Sequence, residues 1–221
     1  MNVVLLVMPV LIGANFSLFT LSVVHHHFQK EKWITLLPSF APLLVAFYSC
    51  FTLAEYQAPD PQTYLRLIQG QLWFTALVPL SIFIFFQVLT ETYFPKANLL
   101  ISLANVSLAA VRFFLPFSGT YKTLPEKVVT YPLWGGGIFL FQGEITPISI
   151  VSFLLSAITI ALGFLLALVH IKKLKPEWRF FFSFMTLALI VTMILDYFFP
   201  LDFYVLDFVF LIFSWLRACC A

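Results

Sequence analysis

The chain has 221 residues, of which 62% are hydrophobic and only 10% charged; soluble domains carry roughly 25% charged residues, so the solvent this composition fits is lipid. The formal charge of +2, with no basic run that interleaves aromatics, leaves no electrostatic footprint for nucleic acid. Cys50 falls in an apolar run and Cys219 and Cys220 are adjacent, a pattern that builds no disulfide framework.

Apolar runs recur along the chain. The expected spans cover residues 3–24, 33–53, 72–89, 97–114, 148–169, 180–199 and 203–216. The N-terminus lacks a cationic leader and a small-residue cleavage site, so the first run is expected to stay as a helix. His25, His26, His27, Lys30, Glu31 and Lys32 separate the first two spans. A polar stretch from Glu55 to Gln69, with Pro59, Asp60 and Pro61, reads as a loop entering the third helix. Glu91 to Lys96 turn the chain into the fourth span, and residues 115–147 form the longest polar segment. His170 to Arg179 precede the sixth span, and Pro200, Leu201 and Asp202 make a tight turn into the last. Spans of roughly 18–23 residues cross a ~30 Å hydrocarbon core at ~1.5 Å per residue. The last run, of about 14 residues or roughly 21 Å, falls short, and a longer parent chain is expected. The fold class is therefore an all-α integral membrane bundle of seven transmembrane helices, forming a single domain over residues 1–221.

Cations set the expected orientation. With the N-terminus outside, Lys30, Lys32, Lys96, Lys172, Lys173, Lys175, Arg179 and Arg217 lie on the cytoplasmic side. Arg66, Arg112, Lys122 and Lys127 then lie outside. The C-terminus is expected in the cytoplasm. Within the outer loop, Lys127–Tyr131 and Ile138–Gln142 are β-branched or aromatic runs flanking Gly135-Gly136-Gly137. That pattern predicts a short extracytoplasmic β-hairpin between helices four and five, with glycines at positive φ in its turn and Trp134 at the membrane interface. A lone hairpin is marginal in water, so it should rest on the outer helix ends. An ordered cap without a ligand satisfies the same residues.

Two groups of residues invite a chemical reading. His25, His26, His27 and His170 share one depth, but consecutive helical residues point about 100° apart and no Cys or carboxylate has matching spacing; no metal or cofactor is expected. Asp196 and Asp207 lie within the last two spans, at the depth of Arg112 at the outer end of span four. An ionised group inside a span costs roughly 2.5–3.5 kcal/mol on insertion scales and points to function by default. Such a cluster pairs its charges and can floor an outward-facing ligand pocket; a simple salt bridge, or side chains reaching to the headgroups, accounts for it as well. Asn15, Gln87 and Asn105 sit mid-span, where polar groups commonly bridge helices. There is no His-Glu-x-x-His, Gly-rich phosphate loop or Gly-x-Ser-x-Gly elbow, and the last helix lacks a lysine for retinal. No catalytic residue, and no enzyme activity, is expected.

Leu65-Arg66-Leu67-Ile68-Gln69-Gly70-Gln71-Leu72-Trp73, Tyr131-Pro132-Leu133-Trp134-Gly135 and Gly143-Glu144-x-x-Pro147 carry a resemblance, completed by Asp196 closing span six and Asp207 opening span seven. In this order the parts resemble the seven-transmembrane N-terminal sensor region of bacterial histidine kinases and diguanylate cyclases, over nearly the whole chain. The resemblance implies an input module for two-component signal transduction, whose last helix relays an external or membrane stimulus to a cytoplasmic kinase or cyclase domain. No phospho-accepting histidine box, ATP-binding segment or cyclase motif occurs in this sequence. Arg112, Asp196, Asp207, Trp134 and Glu144 are the candidate ligand-binding or signalling residues. Membrane lipid, a small molecule at the outer face, a cytoplasmic output domain and a second copy of the chain are the expected partners. The alternative is a small permease-like transporter using the Arg112/Asp196/Asp207 layer, and a third reading is a membrane subunit that scaffolds partners.

Overall fold

Five helices account for most of the chain in the computed structural model, which describes residues 3–29, 40–130, 138–173 and 179. They are α1 (Val3–Gln29), α2 (Phe40–Glu55), α3 (Pro61–Leu89), α4 (Pro95–Phe114) and α5 (Pro147–Val169), with strands β1 (Glu126–Thr130) and β2 (Ile138–Gln142) between α4 and α5. The sixth and seventh expected spans, with Asp196 and Asp207, lie outside the described residues, as does Trp134. Helices α3, α4 and α5 are long and apolar enough to cross a membrane. At ~1.5 Å per residue, the 23 residues of α5 reach about 35 Å. The apolar stretches Met8–Val24 and Phe40–Glu55 are shorter.

Helix α3 begins eleven residues before the expected third span, at Pro61 rather than at residue 72, which corrects the reading of Glu55–Gln69 as a loop entering the helix. Local chemistry explains the early start. The Asp60 side chain accepts hydrogen bonds from Thr63 N (2.8 Å) and Thr63 Oγ1 (2.8 Å), and Pro61 occupies the first helical turn, where its missing N–H costs nothing. The polar residues that made this stretch look like a loop form a helical turn standing at the bundle end. Tyr64, Leu65 and Ile68 from it are buried.

Helix α3 is the hub: it packs against α2, α4 and α5, while α1 packs on α2. Aromatic rungs join the helices. Phe16–Phe47 (5.5 Å between centroids) links α1 to α2, Phe47–Phe74 (5.3 Å) links α2 to α3, and Phe86–Phe164 (4.9 Å) links α3 to α5. Such pairs add ~0.5–1.5 kcal/mol each beyond the area they bury. The buried face of α5 is Thr159, Gly163 and Ala167, a small-residue stripe at four-residue spacing. This lets the two backbones approach: a Cβ at Gly163 would lie 2.8 Å from Phe86 Cδ2 and 3.5 Å from Phe83 Cα.

The burial pattern departs from that of a soluble bundle. Asn15, Gln87, Asn98, Asn105, Arg112 and Thr159 are buried, while Phe114 is 83% exposed, Val169 71% and Leu100 67%. Apolar side chains turned outward over three span-length helices are what lipid requires and water penalises. The chain is a membrane-associated protein.

The segment between α4 and α5 caps the end of the bundle where α3 starts. β1 and β2 pair antiparallel, with register Glu126↔Gln142 through Thr130↔Ile138; residues 131–137 between them are not described. Phe141 from β2 is buried with Ala58, Tyr64 and Ile68, and Tyr121 and Leu67 pack against this cluster. The pair of strands thus shares an apolar core with the first turns of α3.

Candidate functional site

Beneath the cap, at the last turn of α4, lies Arg112. It is only 7% exposed. Its Nη1 donates to Ser152 Oγ on α5 (3.1 Å) and its Nη2 to Thr120 Oγ1 in the cap (2.8 Å). The guanidinium therefore ties α4, α5 and the cap together through neutral hydroxyls. Its Nε is buried with no hydrogen-bond partner, and among the described residues no carboxylate lies within ion-pair distance.

The chain folds over this side chain by an unusual backbone. After Leu115 and Pro116, Phe117 (φ 51°, ψ 37°), Ser118 (φ 61°, ψ 18°) and Gly119 (φ 56°) are all left-handed. A left-handed conformation costs a non-glycine residue ~1–2 kcal/mol, so the surroundings must hold Phe117 and Ser118 there. Ser118 is buried and its Oγ donates to Leu65 O on α3 (2.9 Å), while Gln69 Nε2 donates to Phe113 O (3.3 Å). Gly119 packs on the stem of Arg112: a Cβ there would stand 3.2 Å from both Arg112 Cα and Cγ. Space and φ both demand glycine at this position.

Thr146 closes the cap from the other side. Its Oγ1 accepts from Ser149 N (3.2 Å) as the N-cap of α5 and donates to Gly119 O, and its backbone N donates to Thr120 O (2.9 Å). Above this layer, Lys122 N donates to Glu144 O (2.8 Å). The Lys122 and Glu144 side chains also form an ion pair. On the α3 side, Tyr64 and Tyr121 share a hydroxyl–hydroxyl hydrogen bond (3.2 Å), and Tyr121 Oη donates to Phe141 O (3.3 Å).

Of the residues picked out by sequence, Arg112 lies at the centre of the site. Glu144 does not: it is exposed on the cap surface, paired with Lys122. Ser118, Gly119, Thr120, Thr146 and Ser152 were not singled out, although two signals mark the first four. Pro116-Phe117-Ser118-Gly119-Thr120 is a turn-rich run straight after a helix. Thr146-Pro147 is a capping residue followed by a first-turn proline.

The mid-span amides behave differently from the expected helix bridges. Asn15 Nδ2 and Asn105 Nδ2 donate to carbonyls of their own helices, Leu11 O (3.1 Å) and Ile101 O (2.9 Å), because the carbonyl four residues back is within reach of a short side chain. Gln87 does bridge. Its Nε2 donates to Asn98 Oδ1 (2.6 Å), and its Oε1 accepts from Asn98 Nδ2 (3.1 Å) and Phe94 N (2.9 Å), fastening the α3–α4 turn at the end opposite the cap.

No protein-family model matches the chain, and comparison with curated proteins and with solved structures returned no match.

Proposed function

We propose that the chain is a membrane-embedded sensory input module of seven transmembrane helices. The paired strands belong to a hairpin on its extracytoplasmic face, the N-terminus is outside and the C-terminus in the cytoplasm. The observation that carries this reading is Arg112, a buried cation held, among the described residues, by hydroxyls alone where α4, α5 and the cap meet. A charge so placed calls for an anion, and Asp196 and Asp207 are acids of the last two expected spans. In this mechanism a stimulus at the cap end changes which anion Arg112 holds. The last helix shifts in response, and a cytoplasmic kinase or cyclase domain, on a longer chain or a partner, reads the shift. Such a switch needs two states that bind the stimulus with different affinity.

The test grafts the bundle onto a reporter histidine kinase and substitutes Arg112→Gln, Asp196→Asn and Asp207→Asn singly. Altered basal output or altered response is expected; unchanged output and response in all three would refute the role of this layer. Proteoliposome flux abolished by Asp196→Asn, with no effect on output, would assign the layer to transport instead.

A further inference from the structure

We propose that Arg112 and the Ser152 hydroxyl form an oxyanion site beside Thr120 at the cap end of the α4–α5 seam, taking a carboxylate or phosphate group. The signalling use of the site rests on the sensor reading above; the binding itself does not.

The groups that converge there are donors. A guanidinium carries five N–H donors and no acceptor. Two are used, on Ser152 Oγ and Thr120 Oγ1, and the buried Nε has no partner. Ser152 Oγ accepts from Arg112, and among the described residues its own proton has no acceptor. Thr120 Oγ1 is already committed, receiving Arg112 Nη2 and donating to Ser118 O (3.4 Å). An oxyanion drawn to this layer would thus be offered a positive charge and a hydroxyl proton, with the unpaired Nε–H buried behind them, a set that favours negative oxygen and repels cations.

The arrangement is also held in advance. Gly119 leaves no room for a side chain beside the Arg112 stem, and Ser118 anchors the overlying turn to Leu65 O. Thr146 locks that turn to the first turn of α5 at Ser149, three residues before Ser152. A site whose donors are already fixed loses little freedom when it binds. Its depth suits a membrane surface as well as water, because Arg112 is two residues from the end of α4 and its neighbours Phe114 and Leu115 are exposed apolar groups. A phosphate there can arrive on a lipid headgroup or free in solution.

The experiment uses the whole chain. In one arm, inorganic phosphate is titrated against chloride at constant ionic strength on protein in neutral detergent, and the unfolding temperature is followed. In the other, the chain is compared in vesicles of phosphatidylcholine and of phosphatidylcholine mixed with phosphatidylglycerol. A saturable stabilisation in either arm, absent from Arg112→Gln, is expected, and the arm that responds identifies the source. Ser152→Ala keeps the charge and removes one donor, so it should raise the half-saturating phosphate or anionic lipid about five- to tenfold; it serves if Arg112→Gln does not fold. No stabilisation in either arm, or a response that Ser152→Ala leaves untouched, overturns the site. Binding that persists while the reporter kinase ignores the same anion refutes the sensor reading and leaves the site standing.

Discussion

Ser118 offers a direct test of the strained turn over Arg112, because two substitutions that remove the same hydroxyl should differ in how much stability they cost. Ser118→Ala deletes the 2.9 Å bond to Leu65 O and keeps a Cβ at φ 61°. The loss should be about 1 kcal/mol for a net intramolecular hydrogen bond. Ser118→Gly loses the same bond but recovers the ~1–2 kcal/mol that left-handed backbone costs a residue with a Cβ, less ~0.4–1 kcal/mol for the greater freedom of glycine in the unfolded chain. The glycine variant should therefore be more stable than the alanine variant by about 1 kcal/mol. At ordinary helical or strand positions the order is reversed, with glycine lower by ~0.5–1 kcal/mol. Gly119→Ala, the converse change, adds a Cβ at φ 56° within 3.2 Å of Arg112 Cα and should cost at least as much as Ser118→Ala. Equilibrium unfolding in detergent, followed by helicity, ranks the three. If Ser118→Gly falls below Ser118→Ala, the left-handed turn is not what closes the site.

Gly163→Leu should overpack the α3–α5 contact and cost ~1–3 kcal/mol, since the added atoms meet Phe86, which is 1% exposed; a variant as stable as wild type in the same unfolding assay would place that contact elsewhere. Gln87→Leu strands the buried Asn98 amide and frees Phe94 N–H at the exposed α3–α4 turn, for a loss of ~1–3 kcal/mol; backbone hydrogen exchange at Phe94 should accelerate, and unchanged protection would contradict the bridge. At Asp60 the carboxyl is held below its ordinary range, first by Thr63 N–H and then by the Thr63 hydroxyl. A folded value below the unfolded one means that its stabilisation is full above the unfolded value of ~3.9 and is lost as pH falls through the lower folded value. Asp60→Asn, which can still cap, should flatten that acid limb of an unfolding-midpoint titration; an unchanged limb would assign the acid sensitivity to other groups.

The helices were legible wherever one face had to satisfy lipid and the ends carried stop signals. α4 and α5 run within two residues of their expected limits, bounded by Pro95, Leu115 and Thr146-Pro147. Polarity misled at the start of α3, because Gln62 and Arg66 are exposed on a helical turn at the bundle end and Thr63 is satisfied by the Asp60 cap. The small-residue face of α5 was hidden for a different reason. Its window is apolar all round, so only the positions of Thr159, Gly163 and Ala167, not hydrophobicity, distinguish the face that packs from the face that meets lipid. Least legible was the turn at Phe117. Nothing about a phenylalanine favours φ 51°, and only the closure of the cap onto Leu65 and Thr146 imposes it.

That closure divides the cap's attachments into two kinds. Toward α3 the cap is held by packing and neutral hydrogen bonds, through Phe141 on Tyr64 (4.9 Å between ring centroids) and the Tyr64–Tyr121 hydroxyl pair. Toward α4 and α5 it is held through Arg112, Thr120 and Thr146. The first set carries no formal charge, so on the proposed anion site a change in the anion at Arg112 would leave it standing while loosening or tightening the second. Because α3 also grips α5 through Phe86 and Gly163 toward the opposite end, the cap end of α5 around Ser152 is tied instead to Arg112. On the sensor reading, a stimulus at the cap therefore tilts α5 about its contact with Phe86 rather than sliding it along the bundle, and a spin-label pair on Ser149 and Ser107 should report a distance change that a pair nearer Phe164 does not.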